Sequence, residues 1–200
     1  MTILAAEADF HPETLWDESP PASPDSPEVR WCCLHTKPRQ EKAVARELRQ
    51  AGLSFYLPQI LHESHTPQGR AIRSLIPLFP GYVFLKGDQN DRVTANRRNR
   101  LVGVLEVFDQ EALRQDLQRI HAMLRSGLPL AAEPHVQPGM CVRIKSGPLA
   151  GIEGLVVRRG GGDHFVAIVR FLSRGTSVQL QDWQVEPISQ RGTSREAFTC

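Results

Sequence analysis

The chain has 200 residues, 40% hydrophobic and 23% charged, with a formal net charge of +2. This is ordinary globular composition, with length for one large domain or two small ones. It excludes a membrane span, because no run approaches 18 consecutive apolar residues, and the N-terminus lacks the basic flank and apolar run of a secretory signal.

Residues 1–29 hold seven acidic residues, no Lys or Arg, and Pro12, Pro20, Pro21, Pro24 and Pro27. They lack the apolar periodicity that offsets ordering entropy, so they read as a disordered acidic, proline-rich tail. The apolar run WCCLH from Trp31 predicts a first strand. The cysteines Cys32, Cys33, Cys141 and Cys200 form no C-x-x-C pair. They read as small hydrophobes in a reducing, cytoplasmic setting.

PRQEKAVARELRQAG predicts a helix, with Pro38 in its first turn and Gly52 at its C-terminal stop. Val44, Leu48 and Ala51 share one face; Arg39, Lys42, Arg46 and Arg49 share a nearly opposite one. Phe55–Glu63 and Arg70–Leu85, joined by the turn HTPQG, predict a long hairpin. Its return arm contains IPLFPGYVFL (76–85). Proline is excluded from a flat central strand, so Pro77 and Pro80-Gly81 predict an edge or kinked strand. That bend is expected to turn Phe79 and Tyr82 outward and keep Val83 and Leu85 in the core.

A short basic piece with Arg92, Arg97, Arg98 and Arg100 follows, then a strand over Leu101–Phe108. Asp109 is a plausible cap for a last helix whose Leu113, Leu117, Ile120 and Leu124 share a face, with Gly127 ending it. Together these predict a small α+β domain over 30–127, an antiparallel sheet with flanking helices. That segment holds 16 Lys/Arg against 9 Asp/Glu, which suits a polyanionic or acidic partner, or else a solvated basic face.

Residues 128–135 have linker composition. Beyond them, Val/Ile-rich runs at Cys141–Lys145, Gly154–Arg158, His164–Leu172 and Thr176–Gln181, parted by glycine turns, predict a small all-β, SH3-like barrel over 136–188. Residues 189–200 form a C-terminal tail. No nucleophile–base set or metal constellation can be assembled, so the expectation is a protein without cofactor that works by binding.

Two stretches carry a family resemblance. Val142–Val156, VRIKSGPLAGIEGLV with its flanks, resembles the KOW motif. WCCLHTK (31–37), FYLP (55–58) and LFPGYVFL (78–85) resemble the N-terminal domain of NusG-type transcription factors, and the hairpin is most similar to specialised RfaH-like members. The resemblance covers residues 30–188. It implies a monomeric, non-enzymatic elongation or antitermination factor that docks on the clamp of the largest RNA polymerase subunit and suppresses pausing. Its KOW barrel would recruit a ribosomal small-subunit protein or the termination factor Rho.

Carried over by position, Phe79, Tyr82, Phe84, Phe55, Tyr56 and His35 are the polymerase-binding candidates. By alternation alone some of these rings belong to the core. Lys37, Arg39, Gln40, Lys42 and Arg46 are candidates for upstream or non-template DNA, where cations meet phosphates and Gln40 reaches a base edge. Phe171, Leu172 and Arg174 are the KOW partner candidates. Arg92, Thr94, Asn96, Arg97 and Arg98 stand where RfaH carries a His-Thr-Thr-Thr patch that this chain lacks. The other reading is a ribosome-associated or RNA-binding KOW protein, which the barrel's weak charge disfavours.

Overall fold

A computed structural model describes residues 8–17, 28–65, 67–128, 130–133, 140–159, 162–169, 172, 174–179 and 185–187. The chain divides into two compact units, Met1–Gln110 and Glu111–Cys200.

In chain order the first unit has β1 (Phe10–His11), a 3-10 turn at Glu13–Trp16, β2 (Arg30–Thr36), α1 (Glu41–Gln50), β3 (Ser54–Tyr56), β4 (Gln59–His65), β5 (Ala71–Pro77), β6 (Tyr82–Gly87), α2 (Gln89–Ala95) and β7 (Leu101–Glu106). Five strands form an antiparallel sheet in the order β1-β3-β6-β2-β7, and β4 pairs with β5 alone. The mixed α+β architecture is the one the sequence predicts.

β6 and β2 sit inside the sheet and are apolar on both faces. Cys32 and Cys33 stand opposite Leu85 and Phe84, and all four are fully buried. On one face Cys32, Leu34, Phe55, Leu57, Val83 and Leu85 join Val44, Ala45 and Leu48 of α1 in a single cluster. Each large side chain so buried contributes roughly 1.5–3 kcal/mol.

Helix α1 starts at Glu41, three residues later than expected from Pro38. Arg39 takes the left-handed conformation at φ 62°, which no helical turn tolerates. The expected stop is present as a Schellman motif: Gly52 N–H donates to Arg49 O and Leu53 N–H to Leu48 O, with Gly52 at φ 70°. Ala51, expected on the buried face, is exposed, and Glu41 and Ala45 are buried with Val44 and Leu48.

Three expectations are corrected. First, part of the presumed tail is structured, because Phe10 and Trp16 find aromatic partners on the sheet and Leu15 is buried; residues 8–17 hold β1 and the 3-10 turn. Second, the long hairpin is broken at Leu57-Pro58. Its base, β3, belongs to the main sheet, while β4–β5 form a separate arm anchored by Leu78 N–H to Pro58 O at 2.8 Å. Third, β6 is central. The prolines lie outside it: Pro77 ends β5, and Pro80-Gly81 form a β-turn closed by Tyr82 N–H to Phe79 O at 3.1 Å. Gly81 supplies the required positive φ of 87°.

The second unit opens within α3 (Gln110–Arg125), whose Leu113, Leu117, Ile120 and Met123 are buried. Six strands follow: β8 (Ala131–Glu133), β9 (Met140–Ile144), β10 (Glu153–Arg159), β11 (Gly162–Val169), β12 (Arg174–Gln179) and β13 (Val185–Pro187). They make one antiparallel sheet in the order β13-β9-β10-β11-β12-β8. β8 lies within the presumed linker and pairs with β12, an addition that its three-residue length hid from sequence. The glycine turn after β9 places Gly147 at φ 89° and Gly151 at φ 85°, with Gly151 N–H on Ile144 O at 2.8 Å.

Candidate functional site

The end of β2, the start of β6, the start of β7 and the approach to α1 converge at one end of the first unit's sheet. Thr36 N–H donates to Gly81 O at 2.8 Å, and Lys37 N–H to Arg100 O at 2.8 Å. Glu41, buried at the start of α1, accepts from Gly81 N–H at 2.7 Å. The Pro80-Gly81 turn is thereby fixed to both the strand and the helix.

On this frame His35 and Tyr82, partners in register, stack with ring centroids 5.2 Å apart and planes 20° apart. Both are half-buried, so each keeps a face or an edge toward solvent. Lys37 and Arg39 follow immediately and are exposed. Asn99, left-handed at φ 51°, accepts from the Lys37 ammonium at 3.3 Å. Arg100 donates to Gln40 Oε1 and, at 2.8 Å, to Glu47. Beside the stacked pair, the exposed cations Lys37 and Arg39 suit a polyanion, since such groups take phosphates.

The expected residues therefore separate. His35, Tyr82, Lys37, Arg39 and Gln40 come together at this end. Lys42 and Arg46 lie further along α1; Lys42 donates to Leu75 O at 2.5 Å and so holds the β4–β5 arm to the helix. Arg49, the last of that basic stripe, is turned to the carbonyls of Ala8 and Phe10. His62 and His65, on β4 of the arm, are exposed.

The aromatic expectation is corrected. Phe79, Phe84, Phe55 and Tyr56 are all at most 1% exposed. The turn at Pro80-Gly81 points Phe79 inward, edge-on to Phe84 with centroids 6.0 Å apart. Tyr56 lies opposite Phe84, and Phe55 opposite Leu85. Burial pushes the Tyr56 hydroxyl well above its ordinary pKa. Burial also raises the Cys32 thiol to about 11 and the Cys33 thiol further. Neither is a thiolate near neutral pH, which leaves both as packing residues.

Sequence reasoning missed exposed apolar residues on and just beyond the outer strand of the sheet. Phe108 is 95% exposed, just beyond β7, and Val102 is 62% exposed on it, with Leu105 also exposed. The run LVGVLEVF reads as a core strand; nothing in it marks β7 as an edge. In the basic piece after β6, Arg92 is ion-paired to Glu106 at 2.6 Å, whereas Asn96, Arg97 and Arg98 are exposed. Of the KOW partner candidates, Phe171 lies outside the described residues. Leu172 is half-buried, and Arg174 opens β12 with only its backbone described.

Among the described residues no group of three His, Cys, Asp or Glu is placed to hold a metal ion, and no helix is long and apolar enough to cross a membrane.

No curated protein matches the chain. Among solved structures, NusG of Thermotoga maritima, from a structure of its domain interaction, is 17% identical, covering 81% of this chain and 98% of that one at a TM-score of 0.43. The MjSpt4:Spt5 complex in conformation A is 15% identical, covering 80% and 99% at a TM-score of 0.27. At these identities and scores neither bears on function. Residues 29–120, which span β2 to β7 and most of α3, match the family described as NusG, transcription termination factor nusG.

Proposed function

We propose that this chain is a NusG-type transcription factor that binds RNA polymerase through its α+β unit and acts by binding alone. One observation carries the reading. The segment that matches the NusG family is the one whose strand ends bring His35, Tyr82, Lys37 and Arg39 to a single surface. In this reading the stacked pair provides the polymerase contact, since aromatic anchors concentrate binding energy. Lys37 and Arg39, with Gln40 and Arg46, face upstream or non-template DNA. The role is that of a specialised, RfaH-like antiterminator, and the β-rich second unit, as a KOW barrel, recruits a ribosomal protein or Rho.

Capture of purified RNA polymerase on the immobilised full chain tests the docking. Wild type is expected to retain the enzyme. His35→Ala/Tyr82→Ala is expected to lose it while keeping its circular dichroism, because both rings lie at the surface. No capture by wild type, or equal capture by the folded double variant, overturns the assignment.

A further inference from the structure

The N-terminal segment is seated on the first unit along the edge of its sheet. β1 adds to the edge of β3, with Phe10 opposite Tyr56 and His11 opposite Phe55. Leu57 N–H donates to Asp9 O at 2.6 Å. The Arg49 guanidinium donates to the carbonyl of Ala8 and, at 3.4 Å, to that of Phe10, and lies 5.4 Å from the centre of the Phe55 ring. Trp16 stacks on Trp31 with centroids 6.2 Å apart and planes 24° apart, and meets Tyr56 edge-on at 5.0 Å. Phe10 closes the group at 6.2 Å from Trp16 and 6.5 Å from Tyr56.

Three features distinguish this from one more strand of the fold. Backbone pairing is only two residues long, so recognition rests on aromatic side chains and on Arg49. The segment carries its own turn, with Leu15 N–H on Pro12 O and Asp17 N–H on Thr14 O, both at 3.0 Å. The core cluster on the α1 face contains none of residues 8–17; the segment buries its own Leu15 and lays Trp16 against Trp31 and Tyr56 of the opposite face. Strand addition to an exposed edge, with side-chain pockets giving specificity, is a general mode of peptide recognition.

We infer that the edge of β3, with Arg49 and Phe55 on the α1 face and Tyr56 and Trp31 on the opposite face, is a binding site for an extended peptide with two aromatic anchors, filled in cis by residues 8–17. Its ligand class is a short strand with an aromatic residue at its start, a second aromatic after a proline turn, and main-chain carbonyls open to an arginine. When the covalent copy leaves, the edge takes the same segment from solution. This inference is independent of the transcriptional reading.

The test uses the full chain with a protease recognition sequence inserted between Asp17 and Glu28, cut after purification. A fluorescent peptide of residues 8–17 is added and followed by anisotropy and size exclusion. The cut chain is expected to take up one peptide per chain, saturably, with displacement by unlabelled peptide, while the uncut chain takes up none. A peptide carrying Trp16→Ala is expected to bind at least about tenfold more weakly, the effect of losing roughly 1.4 kcal/mol. The inference is overturned by any of four results: no uptake by the cut chain, unfolding once the segment departs, uptake indifferent to Trp16→Ala, or exchange only between chains in a dimer.

Discussion

The rings of the first unit fall into two groups with opposite fates. Phe55, Tyr56, Phe79 and Phe84 lie within the sheet's interior, each nearly without exposure. His35 on β2 and Tyr82 on β6, the strand that also carries Phe84, emerge at one end and stack with partial exposure. The division is made by the Pro80-Gly81 turn. Before it, Phe79 is pulled beneath the sheet; just after it, Tyr82 is the first residue of β6 and stands at the rim. Aromatic content therefore does not mark a docking surface by itself. Position relative to a strand end does.

The largest expected effect comes from the interior. Phe84→Ala removes a fully buried ring from the central strand, and is expected to cost about 3–5 kcal/mol in denaturant unfolding. A loss below about 1 kcal/mol would break the contrast between interior and rim. The turn that creates the contrast comes next. Gly81→Ala forces a Cβ onto φ 87°, although its nearest neighbour, the His35 ring, is at an ordinary 3.7 Å. Strain rather than clash then sets the cost, at roughly 1–2 kcal/mol.

At the rim, stability effects shrink and binding effects take over. Tyr82→Ala is expected to change unfolding free energy by less than about 1 kcal/mol, yet to abolish polymerase capture. Unchanged capture would place docking elsewhere, most directly on Phe108. Arg39→Gly is the mildest change. Relief of the left-handed arginine at φ 62° and the added freedom of glycine roughly cancel, leaving stability within about 1 kcal/mol. Its signature is in salt: the slope of log affinity for single-stranded or duplex DNA against log salt should fall by about one. An unchanged slope would remove Arg39 from the phosphate contacts.

Much of the fold was legible in the sequence because its signals are local. The helix stop at Gly52, the apolar faces of α1 and α3, the turn near His65–Gly69 and the period-two runs of the second unit all rest on neighbouring residues. What escaped depends on partners distant in the chain. Phe10, Leu15 and Trp16 sit in an acidic, proline-rich stretch, and only the presence of Trp31 and Tyr56 across the fold makes them ordered. The centrality of β6 was hidden because its prolines were counted with the strand they merely precede. At the site, charge spacing on α1 revealed the basic residues. It was silent on which of them the fold employs internally, as Lys42 is on Leu75. The exposed residues of β7 depend on sheet order, in which β7 is the outer strand beside β2.

The central claim, a polymerase-binding factor acting through the His35–Tyr82 end, is tested most directly by in vitro elongation. Transcription on pause and terminator templates would be followed without protein, with the full chain, and with His35→Ala/Tyr82→Ala. The account predicts shortened pauses or increased read-through with the full chain, and none with the folded variant. Unaltered elongation by the full chain on polymerase complexes that carry exposed non-template DNA, or equal activity of the double variant, would contradict it.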